Sequence, residues 1–132
     1  MATMVRTTST SEMRRELVHE TWCEYLDAVS RELLDAPVSI EVIASAEPAV
    51  VEAQRLALRA LAYDDLDDVF EFSAVRGGSQ RPSVLRHVVD HPGRIEVDSY
   101  TLLAPMTIVV EGESGVRTVI TIERDDTPSE FT

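Results

Sequence analysis

After residue 64 this chain offers no helical spacer: its apolar residues recur at every second position in short runs separated by turn residues. Parallel neighbouring strands need a crossover of about a dozen residues or more, usually a helix, so a doubly wound sheet has nothing to be built from. Neither G-x-G-x-x-G nor G-x-x-x-x-G-K-[ST] occurs, which removes the two commonest phosphate cradles as well. Val69 to Val75, Val84 to Val89, Arg94 to Ser99 and Met106 to Glu111 read as strands. Pro92 and Gly93 mark a tight turn, and a hairpin through Gly112 to Gly115 leads into β-branched residues over Val116 to Arg124.

One segment has the other period. From Glu12 to Leu34, Met13, Leu17, Val18, Trp22, Tyr25, Leu26, Val29 and Leu33 recur at three- and four-residue spacing, opposite Glu20, Glu24, Asp27 and Arg31. The pattern predicts a helix, capped through Ser9 and Glu12 or starting later near His19, that buries Trp22, Leu26 and Val29 as core. Asp35 to Pro37 stops it, and Val38, Ile40 and Val42 alternate with Ser39 and Glu41 as a half-buried strand. Val50 to Tyr63 satisfies both periods: its Ala, Leu, Gln and Arg favour helix, while Leu56, Leu58, Ala60 and Ala62 alternate. The expected class is therefore α+β, an N-terminal helix packed on a mostly antiparallel β-sheet or half-open small barrel.

With 132 residues the chain suits one domain, expected over 12–124 with flexible ends at 1–11 and 125–132. Its 44% hydrophobic and 27% charged residues fit a water-soluble globular chain. Twenty-four acidic residues face 12 basic ones, all arginine, for a net charge of -12 and a pI near 4.5. A field of that sign repels nucleic-acid phosphates and anionic lipid, so neither is expected as a partner. Cys23 is the only cysteine, so no intramolecular disulfide and no thiolate cluster can form. With no apolar leader and no apolar run near about 18 residues, a cytoplasmic location is expected.

The order of short motifs resembles the family catalogued as domain of unknown function 5335. Trp22, Tyr25 and Leu26, followed by Val29, Ser30 and Arg31, are similar to its Trp-x-x-Phe-Leu helix. Ala57, Leu58, Ala60, Leu61, Tyr63 and Asp64 resemble its Pro-Leu-x-Gly-Ile-x-Tyr-Asp stretch, with alanine in place of the proline and the glycine. His87, Val89 and Pro92, then Arg94 and Ile95, resemble its His-x-Ile-x-x-Pro motif, and Gly115 stands at its hairpin glycine. A His-Gly pair after the helix is missing. The resemblance covers roughly residues 17 to 124 and implies that Val50 to Tyr63 is extended. It brings no known activity, cofactor or catalytic residue.

His87, Asp90 and His91 form the one cluster with metal-ligand chemistry, and the alternative reading makes them a metal or acid–base centre, with His19 or Cys23 as a further ligand. On a strand the two imidazoles diverge and Pro92 opposes a helix, so no metal or cofactor is expected. Asp64, Asp65, Asp67 and Asp68 lack the Gly and Glu offsets of a calcium loop and read as a solvated turn. Glu111, Glu113 and Glu123 read as solubilising hairpin residues rather than a glycosidase pair. No G-x-S-x-G nucleophile is present. The expectation is a non-catalytic protein-interaction or self-association module, with a homodimer as its assembly; the alternative is a small metal-dependent or acid–base enzyme centred on His87.

Overall fold

The computed structural model describes residues 14–44, 50–76, 83–98, 106–113 and 115–123, with backbone alone over 50–55. Strands β1 (Arg14–Glu16), β2 (Pro37–Ile43), β3 (Val50–Asp64), β4 (Val69–Arg76), β5 (Ser83–Asp90), β6 (Arg94–Asp98), β7 (Met106–Glu111) and β8 (Arg117–Ile122) accompany one helix, α1 (Trp22–Glu32), entered through a 3-10 turn at His19–Thr21. All eight strands belong to one antiparallel sheet in the order β1-β6-β7-β8-β2-β3-β4-β5.

This corrects the expected class. An α+β domain or half-open barrel is not what forms: the sheet is open, and among the described residues one 11-residue helix packs against it. Closure requires the two outermost strands to pair along their length. Here one of them, β1, has three residues, and β5 at the far end is hydrogen-bonded to β4 alone among the described residues. Of the two expected starts the later one, near His19, is what forms, because Arg14, Arg15 and Glu16 pair with Asp98, Val97 and Glu96 of β6, and the Leu17 N–H continues to the Ile95 carbonyl. Pairing with the sheet outweighs the local helical pattern there. The Ser9–Glu12 cap lies outside the described residues.

Val50 to Tyr63 is extended despite its composition, as part of the 15-residue β3. Two different neighbours hold it. Its first half pairs with β2 as far as Ala57, and from Ala57 to Asp64 it pairs with β4 instead. The register shifts at Val38 to Glu41 of β2 and between Leu58 and Ala60 of β3, irregularities of the kind that let a strand bend. The β4–β5 arm folds back across β8: His87 of β5 lies 3.3 Å from the Thr118 hydroxyl, and a side chain at Gly112 would meet Val89 at 3.4 Å.

Beyond Ala57 no described strand lies on the β2 side of β3, and α1 with the residues after it covers that side. The Leu58 N–H donates to Ala36, and the Asp35 N–H donates to Leu58. Ser30 Oγ accepts from the Leu61 N–H at 2.8 Å and stands 2.9 Å from the carbonyls of Leu26 and Leu61. One helical hydroxyl thus replaces a missing strand. Trp22, Leu26 and Val29 on the inner face of α1 are buried in the same cluster as Phe70, Phe72, Ile95, Ile108 and Ile120, so a single core lies between the helix, the bent sheet and its returning arm.

Candidate functional site

The sheet's two edges are built differently. At β1 three residues pair among the described ones, and Arg14–Glu96, Arg94–Glu16 and Arg94–Glu96 ion pairs ring them. Charge and shortness are the usual protections of an open edge. At β5 eight residues run in unbroken register beside β4. Its Leu85, His87 and Val89 face inward while Val84, Arg86, Val88 and Asp90 are exposed, Val84 at 68% and Val88 at 43%. The His91 N–H donates to the Asp68 carbonyl at 2.8 Å, one step beyond the Val69–Asp90 pair. Main-chain groups alternate sides along a strand, so odd-numbered residues of β5 bond β4 and the N–H and C=O groups of Val84, Arg86, Val88 and Asp90 point away from it.

A second feature sits at the end of the same arm. The Tyr63 hydroxyl donates to Asp68 Oδ1 at 2.6 Å and lies 3.1 Å from His19 Nε2, while Asp68 Oδ2 is 3.1 Å from His91 Nδ1. Four side chains from the 3-10 turn, β3, the β3–β4 turn and the end of β5 thereby form one chain. Its inner end is aromatic: the Tyr63 ring meets Trp22 edge-on at 4.9 Å and His19 at 5.4 Å. Burial, then the Asp68 carboxylate, pushes the Tyr63 hydroxyl up to about 12. The bonds from Tyr63 and His91 hold Asp68 below the usual carboxylate range, and the bond to Asp68 raises His91. Asp68 and His91 both adopt left-handed backbone, at φ 57° and 51°. Asp and His are among the residues that tolerate it, and here the facing main-chain bond and the side-chain bond hold both in place.

The residues singled out from sequence are distributed between these features. His87 and His91 do not converge: the first faces Thr118 within the sheet, the second faces Asp68 at the turn. His87 and Asp90 line a shallow cavity of about 270 Å³ together with Glu113 and Thr118, and His91 is not among its walls. No group of three or more His, Cys, Asp or Glu side chains among the described residues is arranged to hold a metal ion. Cys23 is exposed on α1, its thiol donating to the Tyr63 carbonyl at 3.2 Å. Asp64 folds over its own turn, accepting from the N–H groups of Leu66 and Asp67. Glu111 and Glu123 stand on the last hairpin and just past β8, and Tyr25 is half-buried against the core.

Sequence reading missed the His19–Tyr63–Asp68–His91 chain. Its one legible signal is the β4–β5 register, which sets Asp68 opposite His91; nothing in the spacing joins His19 to Tyr63, 44 residues on. The model of a family described as "Family of unknown function (DUF5335)" matches residues 13–130. Comparison with curated proteins and with solved structures finds no match.

Proposed function

The chain belongs to the DUF5335 family, which carries no assigned activity, and we propose that it acts as a non-catalytic self-association and protein-interaction module whose contact element is the outer edge of β5. The observation that carries this reading is the inequality of the two edges. Among the described residues, one has three residues and is ringed by ion pairs; the other offers eight residues, main-chain groups on alternate positions that no described strand takes, and two exposed valines. A strand added there gains main-chain hydrogen bonds from the edge and specificity from alternate side chains.

The enzyme reading centred on His87 has one observation in its favour, the cavity that His87, Asp90, Glu113 and Thr118 share. The edge is preferred because its donors and acceptors are already aligned along one direction. The shallow cavity instead gathers side chains from three elements around an open mouth. Among the described residues no helix is long and apolar enough to cross a membrane, and the net charge of -12 argues against a nucleic-acid partner.

Val88→Pro tests the reading. Proline removes an N–H that points away from β4 and is tolerated on an edge strand, so the fold should persist while association is lost. Wild-type protein should scatter light with a mass above the 14.7 kDa of one chain at micromolar concentration. A mass of one chain for wild type, at low and high salt alike, contradicts the proposal.

A further inference from the structure

Resting on the edge reading, we propose that the occupant of β5 is the same strand of a second copy of this chain, antiparallel to the first and in a register centred on Val88. A two-fold pairing of a strand with itself must set outward-pointing main-chain groups opposite one another, and on β5 these belong to Val84, Arg86, Val88 and Asp90. Any residue of the strand can be the centre, but only those on Arg86, His87 and Val88 set two different pairs of these outward positions opposite one another, and side-chain chemistry separates them.

A register centred on Arg86 sets two guanidinium groups directly opposite each other, a destabilising like-charge pair. Centred on His87, the strand sets Val84 against Asp90 and Arg86 against Val88, so each apolar side chain faces a charged one. Centred on Val88, it sets Val88 against Val88, Arg86 against Asp90 twice by symmetry, and His87 against Val89 on the inner face. Only this last arrangement matches charge with opposite charge and apolar with apolar. Arg86 is equipped for it: Glu71 of its own chain takes the Nε side of the guanidinium. A guanidinium can serve two carboxylates through separate edges, so its terminal nitrogens can take a second one. Asp90 is exposed beside it on the same outward face. The pairing also explains why a chain of net charge -12 leaves this edge without a ring of carboxylates: the complementary charges sit on the strand itself.

Cysteine capture reads the register, since Cys23 is the only native thiol. In a Cys23→Ser background, Arg86→Cys, His87→Cys and Val88→Cys are oxidised separately at micromolar concentration, with far-UV circular dichroism confirming an unchanged fold. Facing residues of a hydrogen-bonded antiparallel pair have Cα atoms about 5.5 Å apart, within disulfide reach. Val88→Cys should be captured as a covalent dimer at least about tenfold faster than either neighbour, since the next facing positions move apart by two strand rises per residue of displacement, roughly 7 Å. Fastest capture of Arg86→Cys or His87→Cys overturns the register while leaving β5 as the contact element. Capture of none overturns both the register and the edge reading, whether the uncoupled protein then has the mass of one chain or of two.

Discussion

At the scale of single residues, the His19–Tyr63–Asp68–His91 chain makes stability depend on pH in a fixed direction. His91 is raised above 6.5 by its bond to Asp68, so its contribution is complete below pH 6.5 and is lost as pH rises through the higher folded value. Asp68 is lowered, so its contribution is present above the ordinary carboxylate range and disappears as pH falls through its folded value. The melting temperature should therefore decline on going from pH 6.5 toward pH 8, and His91→Gln should flatten that decline without removing the loss in acid. An unchanged slope in His91→Gln would show that the Asp68–His91 bond does not persist in solution. Trp22 lies at the other end of the chain, 3% exposed, its indole donating to the Leu17 carbonyl at 3.2 Å. Trp22→Ala should cost about 3–5 kcal/mol, the range for truncating a core aromatic, measured by urea unfolding. The burial of Trp22, Leu26 and Val29 follows from a helical stripe that the sequence displays openly. The hydrogen-bonded chain does not, because its members meet only when the 3-10 turn, a strand and two turns have been brought together.

Among elements, the strands from β4 to β8 were legible because one face of each is the more buried, which writes a period of two into the sequence, with Asp98 and Val109 buried on the other face as exceptions. Local pattern misleads at one place and is divided at another: residues 14–16 carry a helical pattern yet join β6, and β3, which satisfies both periods and which the family resemblance reads as extended, runs extended between β2 and β4. In both, hydrogen bonds to distant strands decide the outcome, and no window of local sequence contains those partners. The join between α1 and β3 depends on Ser30, whose hydroxyl satisfies the Leu61 N–H where a strand would otherwise be needed. Ser30→Ala leaves that part-buried donor unpaired and should destabilise by about 1–3 kcal/mol in denaturant unfolding. Ser30→Thr, which keeps the oxygen, should recover most of it; equal losses in both variants would mean that helix packing, not the hydroxyl, seals the edge.

For the whole molecule, what the sequence could not display was how the sheet ends. Alternation marks strands but says nothing about which become edges, so it does not separate a half-open barrel from the open sheet whose outermost strands are β1 and β5. The proposal that β5 adds a strand rests on this contrast between an ion-paired edge and one with no second neighbour among the described residues. Amide hydrogen exchange followed against protein concentration reads it residue by residue. The amides of Leu85, His87 and Val89, bonded to β4, should be protected at every concentration. Those of Arg86, Val88 and Asp90 should exchange rapidly in dilute protein and become protected as concentration rises into the micromolar range. Rapid exchange of these three amides at every concentration would contradict the account.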